Sequence, residues 1–187
     1  MEEHAHSEGG GAPKCLQVGP VFTIGHSNVP LEKLLTLLQE NAVQVLVDVR
    51  SVPYSRYVPQ ANREALVAAV TSAGIKYVFL GDQLGGQPKG IEVADMLGQP
   101  DYSQLAATEA FHSGMSRVIK EAGEHRICLL CSEEDPVRCH RGLLIGRELA
   151  KRGIDVRHIR HDGNLDSQAD LEKRRAPVQG ILFQGNA

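Results

Sequence analysis

The feature that most constrains this chain is a regular alternation of strand-length apolar runs with helix-length amphipathic stretches from Val21 to His161. Val21–Ile24, Val43–Val49, Ile75–Leu80, Arg126–Cys131 and Asp155–His161 read as strands. The second is rich in β-branched residues and nearly continuously apolar, as a strand covered on both faces should be. Between the first two, 29–41 carries Leu31, Leu34, Leu35 and Leu38 at i, i+3, i+4 and i+7, the stripe of an amphipathic helix. Asn62 caps a second helix that stops at Gly74. Asp101, with Gln104 three residues on, opens a third that directs Leu105, Phe111, Met115, Val118 and Ala122 at the sheet. Asp135 followed by Pro136 opens a fourth, ending before Gly153. Such βαβ alternation implies right-handed crossovers and parallel strands. The expected fold is α/β: a three-layer α/β/α sandwich with an open, mostly parallel sheet of about five strands.

A chain of 187 residues is the size of one domain. Residues 1–18 are expected to be a disordered leader: they are Gly-rich and lack the apolar core of a signal peptide. The α/β domain is placed at 19–163, and 164–187 is read as a polar, partly ordered tail with one short helix capped by Ser167. No run approaches the roughly 20 apolar residues of a membrane helix. Four cysteines without a regular framework fit reduced thiols, hence a cytoplasmic location. A net charge of −3 means that any nucleic-acid contact must come from a local basic patch.

In open parallel sheets, ligands bind beyond the C-terminal strand ends. The unusual polar residues of this chain gather there: His26 and Ser27 after the first strand; Asp48, Arg50, Ser55 and Arg56 after the second; Gly85 and Gly86 after the third. Cys131 and Glu133 follow the fourth, with Cys139, His140 and Arg141 at the next helix start, and His158 and His161 close the fifth. A helix start presents unpaired N–H groups and partial positive charge. That favours an anion and lowers the pKa of a nearby thiol. Arg50, Arg56 and Arg141 are the residue type that grips phosphate or carboxylate bidentately. Side-chain alternation puts Cys128 on the face opposite Cys131, so the pair is no Cys-x-x-Cys knuckle and Cys128 reads as core. Plainer readings stand beside these. Asp48–Arg50 and Glu133–Arg141 fit buried ion pairs, Cys139 fits a core position four residues before Leu143, and His26 fits a turn. His158 and His161 fit a solvated edge. Tyr54 and Tyr57 beside Arg56 fit either a base-stacking loop or an ordinary flap.

Four strings occur in order: TIGHS at Thr23–Ser27, DVRSVPYS at Asp48–Ser55, LGG at Leu84–Gly86 and CSEEDPVRCHR at Cys131–Arg141. Together they resemble the widespread prokaryotic family called domain of unknown function 488, over Val21 to Gly163. The resemblance implies a cytosolic α/β protein and brings no established reaction. It matches His26, Ser27, Asp48, Arg50, Pro53, Ser55, Gly85, Gly86, Cys131, Glu133, Cys139, His140 and Arg141 position by position. Ala61 stands where members usually carry an aromatic residue, which implies a wider pocket or a different ligand.

The leading expectation is an enzyme, a hydrolase or transferase, acting on an anionic, phosphate-bearing substrate such as a nucleotide or nucleic-acid end. Asp48 or Glu133 is its general base, His26 or His140 its acid or base, and Cys131 or Cys139 its nucleophile. Ser27, Arg50, Ser55, Arg56, Gly85, Gly86, Cys139 and Arg141 hold the substrate. No cofactor is implied. Alternatives are thiol redox or sulfur transfer through Cys131 and Cys139, a zinc site of Cys131, Cys139, His140 and His26, and a non-catalytic anion-binding module.

Overall fold

A computed structural model describes residues 18–87 and 102–175. The expected leader up to residue 17, most of the Gly/Pro-rich connection with the Asp101 cap, and residues 176–187 lie outside the described residues. In chain order the elements are β1 (Val21–Gly25), α1 (Leu31–Glu40), β2 (Val45–Asp48), α2 (Arg63–Ser72), β3 (Lys76–Phe79), α3 (Gly81–Leu84), α4 (Ser103–Ala106), α5 (Glu109–Glu124) and β4 (Ile127–Cys131). A 3₁₀ turn (Pro136–Arg138), a widened i→i+5 turn (Arg141–Gly146), α6 (Arg147–Lys151), β5 (Val156–Ile159), β6 (Leu165–Ser167) and α7 (Gln168–Arg175) complete it.

The fold is the expected three-layer α/β sandwich. The strands lie in the order β3-β2-β4-β1-β5-β6, the first five parallel and β6 antiparallel to β5. Alternating side chains build one core on each face. Leu34, Leu37 and Leu38 of α1 and Leu66 and Val70 of α2 cover Phe22, Ile24, Leu46, Cys128 and Leu130. Phe111, Met115 and Val118 of α5, with Leu144, Ile145 and Leu149, cover Val45, Val47, Leu129 and Cys131. Cys128 and Cys131 therefore face opposite layers, as alternation requires. No helix among the described residues is long and apolar enough to cross a membrane.

Three elements differ from expectation. The sixth strand comes from beyond residue 163. Three residues with one apolar side chain leave no strand pattern, and pairing is set by a turn in which Arg160 N–H donates to Asn164 O (2.9 Å). The α7 helix after it starts as expected, Ser167 Oγ accepting from Asp170 N–H (3.1 Å). The helix before β4 is broken at 107–108, and Thr108 Oγ1, accepting from Phe111 N–H, caps the long segment. The fourth helix is also broken. Asp135 caps Val137 N–H, but the backbone at Cys139 is extended (φ −122°, ψ 140°) and winding resumes at His140.

A buried polar network explains that break. Arg141, 0% exposed, extends across the sheet end. Its Nε donates to Thr23 Oγ1 (3.2 Å), and its two terminal nitrogens donate to the carbonyls of Glu133 and Glu134. Thr23 Oγ1 lies 2.7 Å from His158 Nδ1, and His158 Nε2 donates to Gln168 Oε1 (3.0 Å). Gln168 Nε2 closes the chain on Gly142 O. His158 is thus fully buried, contrary to the solvated reading. Seen alone, its position at a strand end gave no sign of the α7 residue that covers it.

Burial, then the Arg141 charge, lowers the His158 pKa from 6.5 to about 4. The unfolded chain therefore binds this proton first. Stability is complete above pH 6.5 and is lost as the pH falls towards 4, by about 3 kcal/mol from this group at most. We expect the urea midpoint to fall steadily between pH 7 and pH 4.5. A flat midpoint over that interval would show that His158 is not held neutral.

Candidate functional site

The chain leaves β4 across the face covered by α5 and α6, whereas it leaves β2 towards α2 on the opposite face. Divergent exits from neighbouring strands open a crevice at a sheet's C-terminal edge, and here the hollow measures about 340 Å³. Arg50, Ser51 and Val52 line it after β2, and Gly86 and Gln87 line it after α3. Tyr102, Cys131, Ser132, Glu133, Arg138, Cys139 and His140 complete the wall.

The reactive groups of the hollow are two sulfurs and one imidazole. Cys131 ends β4, while the extended backbone at Cys139 brings the second thiol back beside it. Both are buried. Their Sγ atoms and a His140 ring nitrogen lie within 4.8 Å of one another. His140 Nδ1 is 3.5 Å from Cys131 Sγ and 3.9 Å from Cys139 Sγ. His140 Nε2 is 3.1 Å from Val49 O. A carbonyl only accepts, so Nε2 carries a proton and donates it to Val49 O, and the ring turns its Nδ1 to both thiols. The two thiols differ in acidity. The Cys131 S–H hydrogen bond, helped by His140 and the Arg141 charge, holds the Cys139 thiol well below its usual value against burial. The same bond and burial hold Cys131 protonated.

Gly86 backs the imidazole. A Cβ there would stand 2.6 Å from His140 Cγ and 2.8 Å from Nδ1. Gly86→Ala is expected to tilt the ring off both sulfurs and slow alkylation of Cys139 by iodoacetamide about tenfold or more. Residue-resolved mass spectrometry reads this directly. An unchanged rate with an intact fold would mean that the ring does not set the reactivity.

On the far face the other expected residues form a separate assembly. Asp48 is 0% and Arg50 5% exposed. Arg50 Nε and one terminal nitrogen grip both carboxylate oxygens at 2.9 and 2.6 Å, and the Tyr77 hydroxyl donates to Asp48 Oδ2 (2.7 Å). The ion-pair reading of Asp48 and Arg50 therefore holds. The second terminal nitrogen of Arg50 donates to Ala61 O (2.8 Å) and to His26 Nε2 (3.1 Å). His26 Nδ1 in turn donates to Ser27 O (2.7 Å). Burial first, then the Arg50 charge, lowers the His26 pKa to about 4, so the ring is neutral with its lone pair engaged.

The structure thus divides the expected residues. It brings Arg50, Gly86, Cys131, Glu133, Cys139 and His140 together around the hollow. Asp48, His26 and Ser27 do not line it. Gly85 packs on Ser51. Ser55 Oγ holds its own turn through Tyr57 and Val58 N–H, and exposed Arg56 lies over the Tyr57 ring. Arg141 faces backbone carbonyls, and its expected Glu133 pairing is to that residue's main chain. Ser51, Val52, Gln87, Tyr102, Ser132 and Arg138 are lining residues that the sequence reading did not place in the site. Ser51, Val52, Ser132 and Arg138 lie inside the quoted strings, and Gln87 and Tyr102 lie in or beside the Gly/Pro-rich connection; that placement was the available signal.

A family model, domain of unknown function DUF488, matches residues 30–147, more than half of the chain. The match includes the three later motifs and begins after His26 and Ser27. No curated protein and no solved structure matches.

Proposed function

The chain belongs to the family described as domain of unknown function DUF488, and from that premise and the geometry of the hollow we propose an enzyme that attacks an anionic, phosphate-bearing substrate through Cys139. One observation carries the reading: a histidine oriented by a backbone carbonyl faces two thiols at a wall of a hollow large enough for a small ligand. A nucleophile, its base and the group that orients the base are the three parts thiol catalysis requires.

In the proposed step the Cys139 proton passes to His140 Nδ1, and the sulfur lone pair forms a bond to phosphorus. The bond to the leaving oxygen breaks with its electron pair, and that oxygen takes the proton from Nδ1. Water then hydrolyses the thiophosphate, regenerating the thiol and releasing phosphate. Glu133 is the carboxylate beside the hollow that would activate this water. Arg138, which has no ion-pair partner among the described residues, would hold the anion. Arg50 has four of its five N–H groups engaged and offers one. Asp48 takes a structural part in this reading.

The test is alkylation of Cys139 by iodoacetamide with and without inorganic phosphate. Fast labelling that phosphate slows, with the protection lost in Arg138→Ala, supports the proposal. Slow labelling at neutral pH, or a rate that phosphate leaves unchanged, counts against it. The closeness of the two sulfurs favours a second reading, disulfide-forming redox chemistry. A loss of two free thiols per chain under mild oxidant would support that instead.

A further inference from the structure

The same three atoms satisfy a different demand. A tetrahedral zinc ion with Zn–S near 2.3 Å and Zn–N near 2.0 Å requires sulfur–nitrogen edges of about 3.6 Å. The two edges here are 3.5 and 3.9 Å. A ligating histidine almost always donates its other ring N–H to a carbonyl or carboxylate, which fixes the tautomer that binds metal. His140 Nε2–H on Val49 O is that arrangement, leaving Nδ1 free to ligate. The three ligands come from a strand end, an extended break and the first residue of a turn, each fixed by backbone. The fourth tetrahedral direction would face the hollow that these residues line.

We propose that Cys131 Sγ, Cys139 Sγ and His140 Nδ1 form a three-ligand site for a thiophilic divalent cation of the zinc class, whose occupation silences the thiol. On binding, each cysteine still carrying a proton releases it, and His140 gives its Nδ1 lone pair. The dication with two thiolates makes a neutral centre that tolerates burial. The fourth position takes water or an anionic group from the hollow. His26, expected as a fourth ligand, is engaged with Arg50 on the other face. Binding itself rests on geometry alone; its effect on reactivity rests on the thiol reading above.

The experiment uses the full untagged chain with Cys15→Ser, reduced and stripped of metal. Zinc is titrated against a chromophoric chelator, cobalt(II) is substituted, and Cys139 labelling is followed with and without zinc. We expect one equivalent per chain with a dissociation constant below about 1 µM, and a thiolate-to-cobalt charge-transfer band. Labelling should slow about tenfold or more with zinc and recover with chelator. His140→Ala should weaken binding about tenfold or more, and the chain alkylated at its thiols should lose the band. A cobalt spectrum without that band, or one the alkylated chain shares, overturns the metal site. Fast labelling indifferent to zinc also overturns it while leaving the thiol reading intact. Tight zinc with slow labelling of the metal-free chain supports the site and sinks the nucleophile instead.

Discussion

Cys139→Ser is expected to abolish fast alkylation and to lower turnover of a phosphate-ester substrate on the order of 10³-fold or more. A serine hydroxyl fills nearly the same volume in the buried site. However, its proton is far harder to remove, and the Cys131 hydrogen bond that favours a thiolate cannot make an alkoxide. His140→Asn should cost less, on the order of 10²-fold, because it removes proton transfer and keeps the sulfur. Cys131→Ser should cost least, since a hydroxyl still donates a hydrogen bond towards Cys139. That ranking is the check. If Cys139→Ser retained turnover while Cys131→Ser lost it, the nucleophile would be the other sulfur. Denaturation midpoints measured alongside separate loss of chemistry from loss of fold.

The second large effect lies on the opposite face of the sheet. Asp48→Ala should destabilise the domain by about 3–5 kcal/mol, because Arg50 would stay buried without its counter-charge. The Tyr77 hydroxyl loses its acceptor as well. Against a total stability of roughly 5–15 kcal/mol, such a loss is enough to unfold much of the population. Asp48→Asn keeps one acceptor and the shape, so it should fall between the parent and the alanine variant. Joint replacement by apolar residues, Asp48→Leu with Arg50→Met, should recover much of the loss, since it removes both buried charges. Urea unfolding reads all three. A cost below about 1 kcal/mol for Asp48→Ala would show that the pair is not what holds this sheet edge. Folded Asp48→Asn that labels at Cys139 like the parent would confirm its structural part. Folded Asp48→Asn without turnover would return it to the chemistry.

Both effects follow from one division of labour. Arg50 bridges the two faces, bound to Asp48 and His26 on one side and lining the hollow on the other. Arg141 does the same between β1 and the loop after β4, and that loop carries Ser132 and Glu133 into the hollow. The approach is close. A Cβ on Gly25 would fall 1.7 Å from Glu133 O, so no larger residue fits where β1 meets that loop. Two arginines that read as anion grips thus hold the walls, and exposed Arg138 lines the hollow with no ion-pair partner among the described residues.

The period-two and 3.6-residue patterns determined the five parallel strands, the helices over Leu31–Glu40 and Arg63–Ser72, and the rim at which Cys131, Cys139 and His140 would meet. These are local properties: apolar spacing selects the element, and parallel connection sends every strand end the same way. Only the tertiary structure decided which rim residues share a space. A side chain at a strand end can turn to either face or back under a loop, and its partner lies far away in sequence. Arg141 reaches Thr23 across 118 residues and His140 reaches Val49 across 91. No spacing rule encodes such contacts. They are fixed by the cost of burying an unpaired charge or donor, which the chain settles only when the whole sheet has formed.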